Sequence, residues 1–265
     1  MTQAIPSPFP DLDFFRSALE EIPLSRRRVT SVSNLKVSAI QSHYDDFALS
    51  ASGTVLRVAS NLNLFTTHAQ SAQEEQRRLE DANIDLLIST KHYDASNPER
   101  SGDFVTPETW MPTDLVIGPA GVGRNPDHLA TSQFAERSGA RMFWEDVAFW
   151  GIYAQSVDDR LLFSLMRRDW LNDKLLLALS IDIAASMKAW LLSNYPTQSN
   201  DVWRVMRYAW SAAREIDATA TFVERFFVPR DQANHISHLL GLRLETRGEV
   251  RYGTFGIETL EGIWE

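Results

Sequence analysis

Ser42-His43-Tyr44-Asp45-Asp46 follows directly on the largely apolar run of residues 35–40, and this junction decides how the rest of the chain is read. A strand that ends in His-x-Asp-Asp delivers an imidazole and two carboxylates to one loop at the carboxyl edge of a sheet, where open α/β sheets place their chemistry. His43 and Asp46 stand three residues apart and can bind one cation on the same turn. Asp45, pointing elsewhere, is then free to act as a base. A second cluster, Asn125-Pro126-Asp127-His128, follows another apolar run at residues 114–119 and can supply a third ligand. Two nitrogens and one oxygen around zinc leave a position open for water, which is the layout of a catalytic rather than a structural site. These residues point to a zinc hydrolase.

Outward from that loop, strand and helix alternate. Residues 47–59 are small and apolar without proline and suit a helix packing back on the sheet; residues 62–67 read as a second strand. Over residues 73–88 the charges fall on one face and Leu79, Ala82, Leu86 and Leu87 on another, the period of an amphipathic helix. Residues 91–112 hold proline, glycine and charge without a clear period, so they read as a loop or excursion. Residues 115–117 form a third strand, and residues 128–138 start a helix with Asp127 as N-cap. Such alternation implies a parallel sheet with right-handed crossovers. The expected fold is α/β: a Rossmann-like, mostly parallel sheet flanked by helices, with the metal site at its carboxyl edge. Further helices are expected at residues 12–21, 158–170, 172–194 and 201–227. His235 and His238 fall on another helix after Pro229, and residues 242–246 and 250–258 alternate around Gly248 as a hairpin.

Composition narrows the class. A length of 265 residues, with 44% hydrophobic residues, 14 Phe and 8 Trp, suits one well-buried α/β domain. A net charge of −9 disfavours nucleic acid and anionic membrane as partners, since both require clustered Lys and Arg. The absence of cysteine excludes a disulfide scaffold and any thiolate metal site. Asp11 and Asp13 interrupt the apolar core that a signal peptide needs. The apolar stretch 175–192 carries Asp182 and Lys188 and reads as a buried helix, not a membrane span. A cytoplasmic globular protein is expected.

Six landmarks in order give the chain a family resemblance. His43-Tyr44-Asp45-Asp46 with Leu49-Ser50-Ala51-Ser52-Gly53-Thr54 resembles the (A/S)HPDD…GG signature of the PIG-L (LmbE-like) N-deacetylases. Residues 62–67 are similar to the family's second strand, and Arg77-Arg78-Leu79-Glu80-Asp81 to its R-x-x-E helix. The segment from Pro119 to His128 resembles the P-x-G-x-G-x-H-x-D-H loop. Phe143-Trp144-Glu145-Asp146 resembles Y-E-D, and Lys188…Tyr195-Pro196-Thr197-Gln198 resembles K…Y-x-S-Q. The resemblance spans residues 35–228. The whole chain, 1–265, is read as one such domain, with an unplaced C-terminal extension at 229–265.

The resemblance implies roles residue by residue. His43, Asp46 and His128 would hold the metal, zinc by default, although ferrous iron accepts the same N/O ligands. Asp45 would be the general base, Asp127 an orienter of a ligand or a helix cap, and Arg77 and Asp94 contacts for sugar hydroxyls. Asn125 departs from the family, which has His there; Asn can donate a hydrogen bond to an oxyanion but delivers no proton. His68 and His92 are the candidates to replace that donor. The implied activity is zinc-dependent N-deacetylation of an N-acylated amino sugar or amino-sugar-containing metabolite, a small-molecule acylated sugar or glycoconjugate being the partner. Two rivals stand beside it: a family member without turnover that binds a glycan or partner, suggested by Asn125, and an esterase for O-acyl sugars. Trp110, Trp144 and Trp150 are candidates to stack on a sugar face, though most such Trp are core. The glycines between Gly118 and Gly123 have the wrong spacing for a nucleotide loop and read as a tight turn beside the metal site.

Overall fold

The structure is a computed structural model that describes residues 34–96, 113–121, 125–145, 168–180, 191, 194–198, 223–247 and 250–255. β1 (Leu35–Gln41) is buried at every position but Lys36, as a central strand covered on both faces must be. It runs into two short buried helices, α1 (Asp46–Ser50) and α2 (Ser52–Val58). β2 (Ala59–Thr66), α3 (Ala72–Asp81), a 3-10 turn (Ala82–Leu86) and β3 (Ser89–Asp94) follow. Next come β4 (Leu115–Pro119), α4 (Pro126–Arg137) and β5 (Met142–Trp144). The C-terminal part contributes α5 (Arg168–Asn172), β6 (Lys174–Ser180), a 3-10 turn (Pro196–Gln198), β7 (Val223–Pro229), α6 (Ala233–Leu239), β8 (Leu242–Arg247) and β9 (Val250–Phe255).

Among the described residues, one sheet carries nine strands in the order β3-β2-β1-β4-β5-β7-β6-β9-β8. The first five are parallel throughout. β7 then runs antiparallel to both β5 and β6, β9 is parallel to β6, and β8 closes the edge antiparallel to β9. The chain lays β2 and β3 on one side of β1 and returns to lay β4 and β5 on the other. The crevice beyond the carboxyl ends of β1 and β4 is therefore the topological switch point, the place where open α/β sheets take ligands. Alternation along β1 feeds two cores: Val37 and Ala39 belong to one with Phe47, Leu56 and Trp144, Ile40 to another with Phe65, Phe134 and Phe143. Among the described residues no helix is long and apolar enough to cross a membrane.

The fold class agrees with the sequence reading, and several elements do not. Lys174–Ser180 is a strand, not the start of a helix over 172–194, and Val223–Pro229 is a strand where a helix was expected to run to residue 227. Leu175, Leu177 and Leu179 are all buried in the main core, but Leu176 and Ala178 between them are apolar too, so the run has no period to separate strand from helix. Ser89–Asp94 is a polar edge strand, so the excursion expected from residue 91 begins later. α3 turns the opposite face inward: Glu74, Glu80 and Asp81 are buried, while Leu79 and, in the following turn, Leu86 are 55% and 52% exposed. The helix expected after Asp127 begins two residues earlier, at Pro126, with Asn125 as its N-cap. Trp144 is a fully buried core residue packed edge-to-face on Phe47, which removes it as a sugar platform. α6 and the β8–β9 hairpin fall where they were expected. The helix at residues 12–21, the bulk of that at 158–170, Trp110 and Trp150 lie outside the described residues.

Candidate metal centre

The loop after β1 folds on itself before anything else touches it. The His43 N–H donates to Asp46 Oδ2 at 2.8 Å, and the Asp46 N–H returns to the His43 carbonyl at 3.3 Å. That turn sets the His43 ring beside the Asp46 carboxylate, Nδ1 to Oδ2 at 3.5 Å. The other Asp46 oxygen lies 3.5 Å from Nε2 of His128 in the first turn of α4. His43, Asp46 and His128 thus offer three ligand atoms within 4.8 Å of one another, with Asp46 and His128 buried and His43 half-buried. Two imidazoles and one carboxylate at that spacing are a donor set suited to a single divalent cation with further positions open.

Close packing brings α4 to this place. Gly121 has φ +61°, and a Cβ there would meet the His128 carbonyl at 3.0 Å and the Ser132 Cβ at 2.8 Å. A side chain would have to push the first turn of α4, and His128 with it, away from β1. Asn125 caps that turn through Oδ1, which accepts the Asp127 N–H at 3.0 Å. Asp127 then reaches over the site, one carboxylate oxygen 3.4 Å from His43 Nε2 and the other 3.5 Å from His68 Nε2. A chain of hydroxyls lies beneath. Thr131 Oγ1 donates to the Asp127 carbonyl, accepts from Ser42 Oγ at 3.0 Å and sits 2.6 Å from Thr67 Oγ1, which in turn is 2.9 Å from His68 Nδ1.

Asp45 stands beside the cluster, fully buried. Burial first, and the Asp46 charge second, push its carboxyl up to about 7, against the opposing pull of Arg77 and His43. Asp46 goes the other way: burial would raise it, but His128 and His43 together hold it well below the ordinary carboxylate range. Burial lowers His68, with Asp127 opposing, whereas for His43 the hydrogen bond and charge of Asp46 outweigh burial and raise it. Two carboxyls in one turn therefore part company, one ionised as a ligand must be, the other suited to exchanging a proton near neutrality.

The remaining sequence candidates divide. Arg77 is no surface ion pair: its Nη1 sits 2.6 Å from Glu74 Oε1 and 3.5 Å from Asp45 Oδ1. Asp94 ends β3 at the same sheet edge, with Oδ1 accepting from the Ser96 N–H at 2.8 Å and from its hydroxyl. His68 enters the site through Asp127; His92 is held elsewhere, between Asp81 and Asp85 at 3.5 and 3.0 Å. Arg77-x-x-Glu80-Asp81 and Tyr195-Pro196-Thr197, separate in sequence, meet: Tyr195 donates to Asp81 at 2.7 Å and the Thr197 N–H to Glu80 at 3.2 Å.

Sequence reasoning missed Gln41 and Glu74. Gln41 closes the site loop through the Phe47 N–H, and Glu74 accepts the Tyr44 N–H at 3.2 Å from outside it. Ser71-x-x-Glu74 was the available signal for the second. It is a capping-box spacing in which Ser71 accepts the Glu74 N–H, while the Glu side chain is diverted to the loop and to Arg77 instead of reaching back.

No protein-family profile matches this chain, and no curated protein sequence matches it. Solved structures do. The crystal structure of the antimicrobial reagent A40926 pseudoaglycone deacetylase Dbv21 superposes with a TM-score of 0.53 at 18% identity, over 74% of this chain and 97% of that one. A deacetylase–teicoplanin complex from the teicoplanin biosynthesis pathway aligns at a TM-score of 0.47 and 16% identity, over 73% and 97%. At such identities the first likeness is one of fold alone: this chain shares the α/β architecture of that structure.

Proposed function

We propose that the chain is a metal-dependent hydrolase that removes an acyl group, acetyl in the simplest case, from the nitrogen of an amino sugar or an amino-sugar-bearing metabolite. The observation that carries this reading is the three-donor cluster of His43, Asp46 and His128 at the β1/β4 switch point, with the raised carboxyl of Asp45 in the same loop. The deacetylase fold of the A40926 enzyme and the resemblance to N-deacetylases support the amide as the bond attacked. When bound, a zinc or ferrous ion would polarise the acyl oxygen and ease ionisation of water.

Asp45 takes the proton of the attacking water, whose oxygen adds to the acyl carbon as the C–N bond breaks; the acid departs as carboxylate and the sugar nitrogen leaves as amine. Asn125, whose carbonyl oxygen is engaged in the cap, offers its NH2 hydrogens to the acyl oxygen. Asp127 orients His43, and His68, joined to the same carboxylate, lies within the site to pass a proton toward the amine. Arg77 and Asp94 contact sugar hydroxyls. Asn125 in place of the family's His favours one second reading, a protein that binds the acylated sugar without turning it over.

Metal analysis of the purified chain combined with an amine-release screen across matched N- and O-acetyl sugars tests both. About one divalent ion per chain and amine release from N-acetyl substrates are expected. Metal without any hydrolysis supports the binding reading, and release of acetate from O-acetyl sugars alone makes the protein an esterase.

A further inference from the structure

We propose that Gln41 is a positioning residue of the metal site, holding the His43–Asp46 loop in its binding shape before any ion arrives; this rests on the reading of His43, Asp46 and His128 as ligands. Gln41 is the last residue of β1 and is fully buried. Its Oε1 accepts the Phe47 N–H at 3.1 Å. One side chain thereby bridges the two ends of the segment that carries His43, Asp45 and Asp46.

The amide has a single orientation. Nε2 donates to Thr66 Oγ1 at 3.1 Å and to Asp81 Oδ2 at 3.2 Å. A flipped amide would set oxygen against the Asp81 carboxylate and NH2 against the Phe47 N–H, two mismatches at a buried position. Asp81 is itself fixed by Tyr195 at 2.7 Å, and His92 Nδ1 lies 3.5 Å from it. The backbone carbonyl of Gln41 accepts the Thr67 N–H at 3.0 Å, so the same residue also ties the ends of β1 and β2 together. A residue whose side-chain oxygen, side-chain NH2 and backbone carbonyl are all committed in this way serves geometry. Groups that support ligands from behind typically change metal affinity by roughly 10–100-fold when removed.

The test uses the full chain and Zn²⁺ alone. Zn²⁺ affinity is measured by competition with a chromophoric chelator for wild type, Gln41→Met, which keeps the length and loses every side-chain hydrogen bond, and Gln41→Glu, which faces Asp81 with a second carboxylate; far-UV circular dichroism reports the fold. Both variants are expected to bind Zn²⁺ about 10-fold or more weakly. Undiminished affinity in a folded Gln41→Met protein overturns the assignment and leaves the ligand set standing; a wild type that binds no Zn²⁺ overturns both. Amide hydrogen exchange at Phe47 decides the matter if the variants do not fold. In wild type that amide is expected to be protected equally with and without Zn²⁺, and protection that appears only on adding Zn²⁺ sinks the inference.

Discussion

Asn125 has two hydrogen-bonding ends with different tasks, and two substitutions separate them. Its Oδ1 caps α4; its NH2 is the donor proposed for the acyl oxygen. Asn125→Ser keeps a good cap and removes the NH2, so turnover is expected to fall by about 10²–10³ with the melting temperature little changed. Asn125→Ala loses both, adding a stability loss of roughly 0.5–2 kcal/mol. Steady-state kinetics beside thermal melts tell them apart, and equal rates for wild type and Asn125→Ser would take the residue out of the mechanism. Asp45→Asn removes the base while leaving His43, Asp46 and His128 in place; metal content should be retained and turnover drop by about 10²–10⁴. His128→Ala leaves a two-ligand site and should empty it, as metal analysis of the purified variant will read directly.

At the level of the element, α3 shows why a buried acid is informative. Glu74, Glu80 and Asp81 face inward because each is consumed: by the Tyr44 N–H and Arg77, by Thr197, and by Gln41, Tyr195 and His92. Tyr195→Phe strips a donor from the fully buried Asp81 carboxyl, and unfolding should become easier by about 1–3 kcal/mol, read in denaturant melts. His92 is pulled down by burial, but the hydrogen bonds of Asp81 and Asp85 outweigh it and leave it above its ordinary 6.5. Folding therefore favours the imidazolium. Its stabilisation is fully present below 6.5 and is lost as pH rises through the raised value. His92→Gln should flatten the fall in stability as pH rises from 6.5 through the raised value, relative to wild type; parallel pH profiles for the two proteins would show that His92 contributes none of it. Sequence revealed β1, β2 and the site loop, and read α1 and α2 as one helix, because a polar cluster at the end of an apolar run is a local signal. It hid β6 and β7, whose apolar and polar residues do not alternate in sequence, and β3, whose polar edge resembles a loop. The inward face of α3 was illegible for another reason: its carboxylates are satisfied by partners as far as 117 residues away.

Across the whole molecule, the parallel half from β3 to β5 builds the candidate site, and the mixed half extends the sheet away from it. Residues 229–265, unplaced in the sequence reading, supply β8 and β9, and β9 covers the β6 edge through Leu176↔Val250 to Leu179↔Gly253. Ending the chain after Gly241 would bare that apolar strand to other molecules, since unpaired strands recruit each other. Size-exclusion chromatography of such a truncation should show aggregates, and a monodisperse protein of native secondary structure would show that the hairpin is dispensable.

The strand pairing between the halves is short, but the join is not. β5 is three residues long and meets β7 at Phe143↔Phe227 and Trp144↔Phe226, with the fork of Arg225 on Glu145 at 2.7 and 3.0 Å just beyond. Beyond the sheet, buried Glu224 of β7 accepts the Gly53 and Thr54 N–H groups of α2 at 3.0 and 2.7 Å, and one core holds residues of both halves. In native-state exchange, β1, β4 and β7 should therefore open together with one free energy, and separate free energies for β1 and β7 would show that the seam is a boundary. The Glu224 carboxylate, seated on the first turn of α2, then carries a fluctuation begun in the mixed half to the helices that follow the site loop.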